Sequence, residues 1–287
     1  MIILNQHFGG NNTYIVGDIV SNGCQVFHID LLNEVCDKFK VPSELKEEVI
    51  VAHRANKDTK EDYLSLAKHD SYNVKLSALK SGADPNLFIN DPDSDIRLAA
   101  IESGADPMLF VNDPDPDVRL AAIKSGADPN LFINDANWEV RLSALKLGVD
   151  PKLFINDPNW VVRRAIIKLG VDPMLFVNDL DCDVRIAAIK AGADPNLFIN
   201  DLNWRVRLAA VKSGADPMLF VNDPDCDVRL TALESGADPM LFVNDPHWGI
   251  RLTALESGAA PNLFVNDSND YVRSGASERL ILDLKSK

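Results

Sequence analysis

Residues 90–111 are NDPDSDIRLAAIESGADPMLFV, and the same pattern returns every 22 residues along most of the chain. Its Asn-Asp pair occurs nine times, from Asn90-Asp91 to Asn266-Asp267, and a less regular copy begins near Lys68. A fixed period of this length is typical of repeat proteins in which each copy is one supersecondary unit. Because one unit cannot bury its own apolar face, the copies are expected to stack on one another.

Each copy predicts two helical segments. In residues 90–111, Asp91-Pro92 are expected to be the N-cap and the first helical position, and apolar residues follow at helical spacing. Gly104 is expected to end this helix in the left-handed backbone conformation. Asp106-Pro107 then start a second segment with room for only one turn of α or 3₁₀ helix. The sequence therefore predicts a mainly α fold, a solenoid whose 22-residue repeats each contain an α-helix and a short α or 3₁₀ turn.

Two residue types recur at fixed places in the repeat. A phenylalanine is present in every copy from Phe88 to Phe264, and a repeated aromatic residue in an apolar position predicts core packing. An arginine recurs from Arg97 to Arg273. Asp93 lies four residues before Arg97, the spacing of a favourable pair within one helix, and each arginine is also near the Asp-rich caps of adjoining repeats. We therefore expect these arginines to be paired internally rather than to bind phosphate.

The repeat resembles a known family. Residues 113–119 (DPDPDVR), followed by Asp128-Pro129 and Leu131-Phe132, are similar to the leucine-rich variant repeats and, more loosely, to HEAT-like α-solenoids. The likeness covers about residues 60–275 and implies α-helices alternating with 3₁₀ helices in a right-handed α-solenoid. The resemblance would suggest an iron–sulfur cluster on N-terminal cysteines. Such a cluster needs four thiolates, and only Cys24 and Cys36 precede the array, so no cofactor is expected.

The ends of the chain depart from the period. Residues 1–57 contain strand-like segments separated by turns and then two helical patterns, which predicts a small α+β N-terminal cap. Residues 58–273 form the helical array, and residues 274–287 a C-terminal cap or tail. Cys24, His28, Cys36 and His53 match no standard zinc-finger spacing, so an enzyme or metal function in the N-terminal region is the weaker hypothesis.

Composition limits the function. The net charge of −14 argues against nucleic acid and anionic membranes as partners, because both repel an acidic surface. Four scattered cysteines favour a reducing compartment, and without a signal peptide or an apolar run of about 18–20 residues a cytoplasmic location is expected. No catalytic motif occurs, and near-identical copies offer no unique pocket, so the chain is not expected to be an enzyme.

Differences between copies concentrate in three residues of the first turn of the α-helix, from residues 93–95 in one copy to residues 247–249 in another. We call these positions the first-turn row. Two interpretations compete: the tryptophans pack on neighbouring repeats or on the arginine three residues later, or they form a recognition edge with the acidic residues. Metal binding by the Asp-x-Asp pairs is not expected, because helix capping already explains them. The predicted partner-binding residues are Trp138, Trp160, Trp204, Trp248, Asp95, Asp117, Asp183, Asp227 and Arg205.

The sequence thus predicts a non-catalytic scaffold that binds a protein or peptide, possibly a basic one, along the repeat edge or concave face. The alternative is an acidic mimic of nucleic acid that occupies a basic nucleic-acid-binding protein. Between Asn90 and Val265 there are 23 Asp and 4 Glu against 16 Lys and Arg, so the array carries most of the negative charge. Strong salt dependence of binding would favour the mimic. The oligomeric state is left open.

Overall fold

The computed structural model describes residues 60–285 and forms two compact units that divide between Leu147 and Gly148. The predicted N-terminal α+β cap, residues 1–57, lies outside the described residues. Within residues 60–285 every element is helical and no β-strand occurs, so the mainly α prediction is confirmed there.

The first unit alternates α-helices with 3₁₀ helices from residue 85 onward. Its described α-helices are α1 (Lys60–Ala67), α2 (Tyr72–Lys80), α3 (Ser94–Glu102), α4 (Pro116–Lys124) and α5 (Trp138–Lys146). Its described 3₁₀ helices are η1 (Pro85–Phe88), η2 (Pro107–Phe110) and η3 (Pro129–Phe132).

The second unit continues the same alternation. Its α-helices are α6 (Trp160–Lys168), α7 (Cys182–Lys190), α8 (Trp204–Lys212), α9 (Cys226–Glu234), α10 (Trp248–Glu256) and α11 (Asp270–Lys285). Its 3₁₀ helices are η4 (Pro151–Phe154), η5 (Pro173–Phe176), η6 (Pro195–Phe198), η7 (Pro217–Phe220), η8 (Pro239–Phe242) and η9 (Pro261–Leu263). The boundary expected at residue 273 falls inside α11.

The α-helix of each repeat begins two residues later than the sequence analysis predicted. Asp93 is the N-cap of α3, and its Oδ1 accepts a hydrogen bond from the backbone N of Asp95 at 3.0 Å. Asp91 instead accepts from the backbone N of Asp93 at 3.0 Å, and its carboxylate pairs with Lys75 of the preceding repeat at 2.7 Å. The prediction of Asp91 as the cap is wrong because two Asx turns follow one another and only the second faces helical N–H groups.

The helix end and the 3₁₀ turn are as predicted. Gly104 has φ of 98° and ends α3 in a Schellman motif, with the N of Ala105 bonded to the O of Ala100 at 2.9 Å. Asp106 caps η2 by accepting from the N of Met108 at 2.9 Å, and Pro107 occupies the first position. At nine residues α3 makes about 2.5 turns.

The same positions of every repeat form the core. In the repeat of α3 these are Ile96, Ala100, Ile101, Ala105 and Phe110, all buried. The phenylalanines from Phe88 to Phe264 are at most 2% exposed, which confirms their predicted place in the core. Within each unit, neighbouring α-helices pack against one another and against the 3₁₀ helix that precedes them. Each repeat therefore completes the apolar surface of the next, as the stacking argument required.

The recurring arginines connect successive repeats. In α8, Arg207 Nε and Nη2 donate to the two carboxylate oxygens of Asp223, sixteen residues later, at 2.7 and 2.8 Å. Its Nη1 donates to the backbone O of Asp201 at 2.7 Å, and the two side chains of the pair are 10% and 4% exposed. We call these pairs the arginine ladder; the equivalent pairs are Arg97–Asp113, Arg119–Asp135, Arg163–Asp179, Arg185–Asp201, Arg229–Asp245 and Arg251–Asp267.

Internal pairing is as predicted, and of the two predicted kinds of partner the arginine binds the acid at the cap of the adjoining repeat rather than the acid in its own helix. The acid four residues before the arginine is not available, because in α3 the carboxylate of Asp93 caps the helix. The carboxylate that the arginine binds also accepts a hydrogen bond from the backbone N of the next N-cap residue. Asp223 Oδ1 accepts from the N of Asp225 at 2.9 Å, and Asp225 is the N-cap of α9. One guanidinium thus fixes the start of the next helix as well as the distance to it.

The ladder also sets the ionisation of its members. The hydrogen bond to Asp223 raises the pKa of Arg207 further above its ordinary value. The hydrogen bond from Arg251 lowers the pKa of Asp267 and outweighs burial, which raises it. At Asp135 burial is the largest effect and raises the pKa, but the hydrogen bonds from Arg119 and the backbone of Asn137 together leave it lowered.

We expect Arg207→Ala to lower the free energy of unfolding by roughly 3–5 kcal/mol, because the carboxylate of Asp223 is left buried without its countercharge. Arg205→Ala is the matched control on the same helix, since Arg205 forms an exposed pair with Asp183, and it should cost no more than about 1 kcal/mol. Urea denaturation followed by circular dichroism measures both. Equal losses for the two variants would contradict a structural role for the ladder.

Acid should destabilise the array only at low pH. Folding lowers the pKa of Asp135 and of Asp267. At pH values below the ordinary pKa of aspartate, the unfolded chain therefore binds more protons than the folded chain. Stability should therefore be constant from pH 7 to about 4 and fall as pH drops further through the lowered values. Urea denaturation at a series of pH values tests this, and Asp267→Asn should flatten the acid slope. A main loss between pH 5 and 7 would contradict it.

Candidate functional site

All four tryptophans of the first-turn row occupy the first position of an α-helix. Trp138 in α5 and Trp160 in α6 are half-buried, whereas Trp204 in α8 and Trp248 in α10 are 40% and 42% exposed. The residue before each tryptophan is the N-cap, so the capping geometry places the indole at the same point of every such repeat. The second unit therefore presents two exposed indoles in one register.

The predicted contact between each tryptophan and the arginine three residues later is wrong for Trp160, Trp204 and Trp248. Those arginines belong to the ladder. Trp160 instead lies under Arg164, whose guanidinium carbon is 5.8 Å from the ring centroid. Trp248 stacks on Tyr271, with ring centroids 5.8 Å apart, and lies 6.2 Å from the ring of His247. Trp160 and Trp248 thus have internal ring contacts, yet the Trp248 indole remains largely open to solvent.

The charged members of the row occupy the second helical position. Asp95, Asp117 and Asp227 are exposed, and Asp183 is half-buried. Asp183 Oδ1 accepts a hydrogen bond from Arg205 Nη2 at 3.0 Å, which joins α7 to α8 across one repeat. Of the predicted charged residues, the structure therefore brings these two into direct contact.

Asp181, Cys182 and Asp183 place their ligand atoms within 4.8 Å of one another, a spacing that a metal ion could use. Both carboxylates already have partners within the protein. Asp181 Oδ1 accepts from the backbone N of Asp183 at 2.8 Å as the cap of α7, and Asp183 is paired with Arg205. The group is thus a helix cap joined to an ion pair.

Sequence analysis missed a second exposed row. The leucine before each core phenylalanine, from Leu109 to Leu263, is 50–60% exposed. Successive residues of a 3₁₀ helix point about 120° apart, so the phenylalanine and the leucine cannot both enter the core. The recurring Leu-Phe pair is the sequence feature that could have predicted one buried and one exposed apolar side chain in each 3₁₀ helix. We call these residues the 3₁₀ leucine row.

The fold resembles that of a solved protein. A solved structure described as a leucine-rich repeat variant with a novel repetitive structural motif matches at a TM-score of 0.50 and 19% sequence identity. The match covers 74% of this chain and 88% of that one. No protein-family model and no curated protein matches the sequence. The chain therefore has the fold of a leucine-rich variant repeat solenoid, as the sequence resemblance implied; the right-handed superhelix stays a prediction.

Among residues 60–285, none of the helices combines the length and the apolar character that crossing a bilayer requires.

We expect Trp160→Ala to lower the free energy of unfolding by about 1 kcal/mol more than Trp204→Ala, because Trp160 is more buried and contacts Arg164. Urea denaturation measures the difference. In an Arg164→Leu background the cost of Trp160→Ala should shrink, since the cation–π contact is already absent. Equal costs for the two tryptophans would show that the contact with Arg164 adds nothing.

Proposed function

We propose that the chain is a non-catalytic scaffold that binds a protein or peptide along the first-turn row of its second unit. The observation that carries this proposal is the exposure of Trp204 and Trp248 at the same register of α8 and α10, with the exposed Asp227 on α9 between them. Tryptophan is enriched among the residues that dominate binding energy at protein interfaces. Within the described part of the chain Trp204 has no ring contact, so its exposed indole is more readily explained by binding than by stability.

The spacing of the two indoles suits a protein ligand. Packed helices lie about 8–10 Å apart, so α8 and α10, which are separated by α9, are about 16–20 Å apart. An extended peptide rises about 3.3 Å per residue, and about six residues would span this distance. Two apolar anchors with a carboxylate between them could therefore hold one short segment of a partner.

The charge distribution supports this scaffold over a nucleic-acid mimic. The carboxylates of the ladder are buried and neutralised by arginine. The exposed carboxylates that recur regularly are the N-caps of the 3₁₀ helices, one per repeat from Asp84 to Asp238. One charge per repeat corresponds to about 8–10 Å, whereas duplex DNA carries one charge per about 1.7 Å of axis. This set is several times too sparse to imitate a duplex.

The double variant Trp204→Ala/Trp248→Ala should lose most of the proteins that the immobilised wild-type chain retains from a lysate of the source cells. Trp204 is 40% and Trp248 42% exposed, and Trp248 stacks on Tyr271, so circular dichroism should change little while the melting temperature falls by about 2–4 °C. Quantitative mass spectrometry of the retained proteins measures the loss.

The matched control is Leu180→Ala/Leu202→Ala, which removes two almost fully exposed leucines outside the row and should retain the wild-type set. An unchanged set for the tryptophan variant would refute the proposal. Loss of the same proteins at moderate salt, with no effect of the tryptophan substitutions, would instead support the acidic mimic.

A further inference from the structure

A groove crosses three consecutive helices of the second unit, α6, α7 and α8. Its volume is ≈ 710 Å³, and its walls carry the cations Arg164, Lys168, Lys190 and Arg205. Apolar side chains, among them Ile186, form part of the same lining, and Asp183 is its one acidic residue. On a chain of net charge −14, a surface with four cations and one carboxylate has the opposite sign to its surroundings.

Two residues of the groove depart from the repeat pattern. The position of Arg164 is held by leucine or isoleucine in the other copies from Leu76 to Leu252, including Leu142 and Ile186 of the two adjacent repeats. The position of Arg205 is acidic in the next repeats on either side, Asp183 and Asp227. Both substitutions add positive charge, and both line the same groove. We name the four cations and Asp183 together the basic groove.

Most of the positive charge of the basic groove is uncompensated. Within residues 63–284, Arg164, Lys168 and Lys190 form no ion pair with a carboxylate, whereas Arg205 is held by Asp183 at 3.0 Å. Arg164 is oriented by the indole of Trp160 beneath it. Among the described residues, Lys124, Lys146 and Lys212 at the register of Lys168 form no ion pair either, so the groove is distinguished by the two added arginines, which gather four cations on one surface and indicate a site for an anion.

We propose that the basic groove binds an acidic segment of a partner protein, in which two or more carboxylates alternate with apolar side chains. The inference rests on the proposed function in that the ligand is a protein. Elsewhere the array repels such a segment, so the basic groove defines a single register in which it can bind. Near-identical repeats would otherwise offer several equivalent positions.

The arrangement of the cations favours a peptide over a single phosphate group. They lie on three different helices, with Arg164 and Lys168 on α6, Lys190 on α7 and Arg205 on α8. At about 8–10 Å between neighbouring helices, the two ends of the set are too far apart to converge on one phosphate. Several carboxylates along an extended chain match this distribution, and the apolar lining matches the side chains between them.

A fluorescein-labelled peptide that repeats Glu-Ala-Glu-Leu over about twelve residues tests the proposal by fluorescence anisotropy at low salt. The wild-type chain should bind it, and the peptide with Gln in place of Glu should bind far more weakly. The variant Arg164→Leu/Lys168→Gln should weaken binding about tenfold, because the half-buried cation Arg164 and the exposed cation Lys168 are both lost. The neighbouring repeats have Leu142 and Ile186 at the position of Arg164, so the variant is expected to fold.

Two further variants separate the basic groove from general charge effects. Lys124→Gln/Lys146→Gln changes the net charge equally at the same helical register outside the groove and should leave binding unchanged. Asp183→Asn removes the one carboxylate of the groove and frees Arg205, so it should tighten binding a few-fold, whereas a variant that merely damaged the fold would weaken it.

The proposal is overturned if the Glu peptide does not bind, if binding survives Arg164→Leu/Lys168→Gln, or if Asp183→Asn weakens it. Inorganic pyrophosphate that binds to the groove without any binding of the peptide would reassign the site to a small phosphate ligand and would also overturn it. Because the peptide assay does not involve Trp204 or Trp248, its failure leaves the capture experiment on those tryptophans unaffected.

Discussion

Each ladder arginine is buried or half-buried between two repeats, and the rest of the structure depends on its three simultaneous contacts. Arg207 binds both oxygens of Asp223 in the next repeat and the backbone oxygen of Asp201 in its own. A charge so nearly removed from water is tolerated only when its hydrogen bonds are satisfied. A planar guanidinium accepts few geometries, so this requirement fixes the separation and orientation of neighbouring repeats more tightly than apolar packing does. The apolar core supplies most of the free energy that drives folding, and the ladder determines the arrangement in which neighbouring repeats stack.

Because the ladder and the core hold the backbone, the first turn of each α-helix is free to vary. Asp225 caps α9 and Asn203 caps α8 with the same geometry, although tryptophan follows one cap and cysteine the other. The side chains after the cap make contacts that differ from repeat to repeat, such as Trp160 with Arg164 and Trp248 with Tyr271, and none of them belongs to the repeated core. Residues as different as Arg205 and Asp227 can therefore occupy equivalent places without disturbing the stack. The solenoid separates the residues that determine its fold from those that can determine binding.

Local sequence rules predicted what is decided within one repeat. Gly104, Asp106-Pro107 and Phe110 have the places expected of them, because helix termination, capping and burial of an aromatic residue act over a few positions. For Arg97 the sequence left two kinds of acidic partner open, Asp93 in its own helix and the Asp-rich cap of the adjoining repeat, because the choice depends on how repeats stack; the structure shows Asp113 of that cap. The different exposures of Trp160 and Trp204 were unpredictable for the same reason: they depend on which neighbour, such as Arg164, the ring meets.

In an array of near-copies, binding specificity has to come from the copies that differ. A ligand that recognised only the repeated features, such as the 3₁₀ leucine row, would gain equal energy in every register and would slide among them. A unique position arises only where the pattern is broken. Arg164 and Arg205 break it with charge, and Trp204 and Trp248 break it with exposed apolar area, all within the second unit. The same substitutions leave the ladder intact, since none of them replaces a buried arginine or its aspartate. Recognition could thus diversify at these positions while the energy that holds the repeats together stayed constant.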